Sequence, residues 1–234
     1  GESGKGGALD VTAGDTTDDT VGGSISVVSG SATGTTTSEG GALFVAAGGA
    51  KKNTGGAIDV NSGASIDTSS GSIKIKTANA GTAGASGMLV FSSGTSTSGN
   101  SGSVMMGSGS AVGGRSGAVA LTVGSGDSGA GGYLRFESGR SDDVTGGAVT
   151  MESGEGSSSS SGSIKIKTAN AGAGGASGRL VFSSGKSLVG NSGSIYVGTG
   201  VGVSGKGGAI KVSVGNGESG KGGALDVTAG DTTD

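Results

Sequence analysis

Residues 70–87 read SGSIKIKTANAGTAGASG. Gly71 opens the run, Ile73 and Ile75 alternate with Lys74 and Lys76, and a string of small residues closes it. Apolar and polar residues alternating with period two mark a half-buried strand. The same SGSIKIKTANAG returns at 161–172, a shift of 91, and SGMLVFSSG at 86–94 returns as SGRLVFSSG at 177–185. Residues 1–18 and 217–234 are the same eighteen residues, GESGKGGALDVTAGDTTD, which sets a superrepeat of 216 residues.

A finer period runs through all of it. A Gly preceded by Gly or Ser recurs in phase at fifteen positions from Gly7 to Gly223, mostly 15 residues apart and otherwise 16 or 18. Counting that Gly as the second position of a unit, the fourth position runs from Leu9 through Ile73, Leu89 and Val149 to Leu225. The sixth runs from Val11 through Ile75, Phe91 and Met151 to Val227, and all thirty residues of the two columns are apolar. The ninth position is Gly in thirteen of fifteen units, which suggests a corner at positive φ. In the two exceptions, Ala78 and Ala169, the following Asn79 and Asn170 would take the corner instead.

Every unit carries the pattern in the same orientation. The expected fold is therefore all-β, with no helices: a parallel β-solenoid (β-helix) of about 15 residues per coil and about 14 coils per superrepeat. Residues 1–234 would form one continuous solenoid segment, an interior piece of a longer repetitive chain. An antiparallel meander joined by Gly-rich hairpins is the competing arrangement. In the solenoid, Leu89 and Phe91 point inward, with small eighth-position residues such as Ala13, Ser29 and Ser138 admitting the opposite wall. Ile66, Val112, Leu188 and Val203, all at the twelfth position, would contribute to that wall. Stacked coils would pair Asp59 with Lys74, Glu152 with Lys167 and Lys211 with Asp226. Gly1 and Gly217 would lie about 67 Å apart along the axis at ~4.8 Å per coil.

Composition excludes much else. The 234 residues include 58 Gly, no Pro, Cys, His or Trp, and six aromatics. Glycine is about one residue in four against roughly 7% in ordinary proteins, and the 31% apolar content leaves no thick globular core. Without His or Cys there is no imidazole or thiolate metal site and no Ser-His or Cys-His nucleophile pair. Catalytic, cofactor-binding and metal residues are all expected to be absent. The net charge of −3 argues against a nucleic-acid partner, and no apolar run approaches the ~18 residues of a membrane span.

Several weaker signals have plain explanations. Gly205–Gly208 and Gly220–Gly223 look like phosphate loops but open no helix, and they are turn glycines. Asp15, Asp18 and Asp19, like Asp142 and Asp143, offer oxygen ligands for calcium without EF-hand spacing, and are taken as solvated loops. Lys74, Lys76, Lys165 and Lys167 would suit an anionic partner but fit a solvated strand face. Ser157–Ser161 and Thr35–Thr37 are possible O-glycan acceptors in a secreted chain. The fifth position lacks the uniform Thr column of an ice-binding face. Outward Phe44, Tyr196, Val90 and Val181 favour lateral bundling or adhesion.

The succession SGSIKIKTANAG, SGxLVFSSG and GNSGS, covering most of the chain, resembles long tandem-repeat proteins of diatoms and related algae. That resemblance implies a large secreted or surface-associated repetitive protein and carries over no functional residues. The expected function is structural: a glycine-rich extracellular fibre, matrix or cell-surface protein that self-associates end to end, with lateral bundling between fibres. The alternative is a rigid stalk of an adhesin whose tip lies outside these residues. Neither is an enzyme.

Overall fold

A computed structural model of the chain describes residues 6–17, 20–34 and 36–231. The chain falls into two units, Gly1–Ala120 and Leu121–Asp234, each built the same way. Among the described residues there is no helix and no β-strand, so neither a sheet nor a solenoid forms. The expected all-β parallel solenoid is overturned. Its cause is visible in the surface area: the chain exposes 23434 Å². A folded monomer of this mass exposes about 9,000 Å², and its extended chain about 31,000 Å².

No side chain is buried among the described residues. All thirty fourth- and sixth-position residues are exposed, from 48% at Leu89 to 90% at Leu9, so Leu89 and Phe91 face solvent rather than a core. Two apolar side chains per fifteen residues give one unit too little area to bury, and no neighbouring unit stacks on it to share the ladder. Ile66, Val112, Leu188 and Val203 form no opposite wall; they stand 87–103% exposed.

What order exists is in the turns. Gly23, Gly41, Gly56 and Gly71 donate their amides to the carbonyls of Gly14, Gly30, Gly48 and Gly63 at 2.8–2.9 Å. Gly147, Gly162 and Gly223 do the same to Gly139, Gly154 and Gly215 at 2.9–3.4 Å. Each bond joins the ninth position of one unit to the second of the next, so the intervening loop returns to the point where it left. A solenoid coil would instead bring second position beside second position. The bond is one that a hairpin turn makes, but the segments flanking it do not pair.

The ninth-position corners are also corrected. Positive φ occurs among the described residues only at Gly113 (76°), Gly129 (88°) and Gly174 (82°), all inside their loops. No ninth-position Gly has it, and neither Asn79 nor Asn170 does. A Cβ at any of the thirteen ninth-position glycines would meet open space, so nothing in the structure explains that column. Gly1, Asp18, Asp19 and Thr35 lie outside the described residues, as does the expected Gly1–Gly217 spacing.

Candidate interaction surface

The second-position glycines sit in close approach to the preceding unit. In all fourteen units from Gly23 to Gly223, a Cβ on that glycine would lie 2.7–3.4 Å from the eighth-position side chain of the preceding unit. Ala13 meets Gly23, Ser93 meets Gly102, Val123 meets Gly132 and Val214 meets Gly223. In two units the contact carries a side-chain hydrogen bond: Ser138 Oγ donates to the Gly147 carbonyl at 2.8 Å, beside the backbone bond of that clasp, and Thr199 Oγ1 donates to the Gly208 carbonyl at 3.2 Å. The small eighth-position residues thus do admit a neighbour, but it is the start of the next unit rather than an opposite wall.

Loop interiors hold a second device at the eleventh position. Ser65, Ser141 and Ser187 each accept, on Oγ, the backbone amide three residues on, from Thr68, Val144 and Gly190 at 2.9–3.1 Å. A serine that bonds the backbone nearby substitutes for a regular turn. Where the eleventh position is Gly156, Gly202 or Gly217, a Cβ would fall 2.5–2.7 Å from a backbone oxygen further round the loop. The eight least exposed residues are Ala13, Ser29, Ser138, Ser153 and Thr168 at the eighth position, and Ser141, Gly156 and Ser187 at the eleventh. The eleventh position was not singled out in the sequence, although it holds only Gly, Ala, Ser or Thr throughout the described units.

None of the expected inter-coil ion pairs forms among the described residues: Asp59–Lys74, Glu152–Lys167 and Lys211–Asp226 are not brought together. Among the described residues the ion pairs are Arg135–Glu137 and Arg140–Asp142, the latter at 2.5 Å. Both join residues two apart, as alternate side chains on one side of an extended chain can. All four side chains are exposed, and such pairs contribute about 0–1 kcal/mol. Asp142 is therefore engaged by Arg140, and Val144 bonds Ser141 across the same loop. No group of acidic residues is arranged to hold a metal ion among the described residues. Among the described residues, no helix is long and apolar enough to cross a membrane.

One concavity stands out. Phe136, Val149, Thr150 and Met151 line a cleft of about 270 Å³. Phe136 lies three residues before Gly139, and Thr150 three after Gly147, so the cleft is the gap between two segments leaving the same clasp. It falls below the ~300–1,000 Å³ of small-molecule sites, a size that suits single apolar side chains. The surface that this chain offers is thus apolar columns, a cleft between two of their segments, and polar loops that fix where each column starts. Against known proteins, the chain matches no family model, no curated protein and no solved structure.

Proposed function

We propose that this chain is structural rather than enzymatic: repetitive extracellular or cell-surface material that associates with further copies of itself. One observation carries the reading. Thirty apolar side chains at fixed phase stand exposed on a chain with no core to receive them. Exposed apolar surface on this scale marks contact sites, and a chain unable to bury it internally gains order on association. The repeat resemblance to secreted algal proteins supports the extracellular setting. Fixed spacing supports a role as material, since each unit presents the same contact to the next copy.

Sedimentation velocity on the 234-residue chain over a hundredfold concentration range tests this. Species growing continuously beyond the dimer are expected. A monomer at every concentration would remove the structural reading.

A further inference from the structure

The cleft beside the Gly139–Gly147 clasp carries a specific consequence, which rests on the self-associating reading above. Its walls are apolar apart from the Thr150 hydroxyl. Beyond the clasp at Gly147, no backbone hydrogen bond bridges the two segments among the described residues, so the amides and carbonyls of 148–153 remain open to another chain. An alternating segment entering such a gap supplies both needs at once, with main-chain bonds for affinity and alternate side chains for specificity.

Charge selects the occupant. Residues 132–155 hold Arg135, Arg140, Glu137, Asp142, Asp143, Glu152 and Glu155, a net charge of −3. Both arginines are engaged by Glu137 and Asp142. Among the described residues, Asp143, Glu152 and Glu155 have no basic partner. The repeated SGSIKIKTANAG holds two lysines, no acid, and two isoleucines alternating with those lysines. We infer that the cleft between 132–138 and 147–153 receives the SGSIKIKTANAG segment of a second copy of this chain. One isoleucine fills the space lined by Phe136, Val149 and Met151, and the flanking lysines reach Glu152. Each chain carries two such segments, at 70–81 and 161–172, so a chain that receives one still offers both of its own.

A fluorescently labelled SGSIKIKTANAG peptide, titrated onto the full 234-residue chain and followed by anisotropy, tests this directly. Saturable binding is expected, weakened about fivefold by E152K and restored on that variant by a peptide bearing Lys74→Glu and Lys76→Glu. Val149→Asp, which puts a charge into the cleft wall, is expected to abolish it. Both positions are exposed on a chain without a core, so neither change has a packed fold to disrupt. Equal binding by a scrambled peptide, or unchanged affinity of E152K, would overturn the proposal. Self-association of the chain without peptide binding would sink this site while leaving the structural reading intact.

Discussion

The hydroxyl of Ser138 donates to the carbonyl of Gly147 at 2.8 Å, and the amide of Gly147 donates to Gly139 at 2.9 Å. Two bonds therefore close one loop at the same glycine, while the apolar residues on either side remain open to solvent. Order here lies in polar turns, the reverse of a globular domain.

Gly147→Ala places a methyl about 3.3 Å from both the Ser138 Cβ and the Gly139 amide nitrogen, close enough that the clasp must widen to admit it. Exchange of the amide at position 147, followed by NMR, is expected to accelerate about fivefold, the loss of roughly one hydrogen bond at ~1 kcal/mol. Ser138→Ala is expected to have a smaller effect in the same direction. An unchanged exchange rate in Gly147→Ala would show that the clasp does not depend on the missing side chain.

Gly156→Ala and Gly202→Ala insert a Cβ 2.5 and 2.7 Å from backbone oxygens, whereas Gly139→Ala meets nothing within 4 Å. The first two are expected to shift the amide resonances of their whole loops. Gly139→Ala is expected to leave the Gly147 resonance in place. Loops that respond alike to all three changes would contradict the eleventh-position packing.

Position along the repeat should decide which apolar residues drive association. Phe136→Ser with Met151→Ser removes two sixth-position side chains at the cleft, and is expected to raise the concentration at which large species form several-fold. Ile66→Ser with Leu188→Ser alters two loop tips that stand 87–100% exposed, and is expected to change it less than twofold. Light scattering across a dilution series distinguishes the pairs.

Salt separates the two kinds of contact. The clasps join uncharged groups, so amide exchange at Gly147 is expected to stay constant between 0.1 and 1 M salt. The Debye length falls from about 10 to 3 Å over that range, so peptide binding at Glu152 is expected to weaken. Clasps that loosened with salt would point to a charged partner in the loop.

The fifteen-residue period was legible in the sequence, and the structure repeats its events at that spacing. Alternation was legible too, but only as a gradient: Phe44 at 89% and Tyr196 at 96% stand further out than their neighbours Leu43 at 58% and Ile195 at 55%. The step from alternation to a stacked coil failed, because two apolar residues per unit define a face without supplying its partner. Ser138 and its eighth-position equivalents were recognised as small for a packing reason, but the neighbour they admit is the next unit's glycine. The eleventh-position serines are not legible in the sequence, because a Ser bonding its own loop leaves no hydrophobic trace.

A loop clasped at its base holds chain in reserve. Gly139 and Gly147 sit within one hydrogen bond of each other, yet the eight peptide steps between them span about 27 Å when drawn straight. Tension along the chain would open such clasps one at a time, each yielding some 20 Å or more of new length for the rupture of one or two weak bonds. No covalent bond breaks, and slackening lets the ends meet again. An array of these units under load behaves as a self-resetting shock absorber whose extensibility is set by the number of loops rather than by the strength of any one of them.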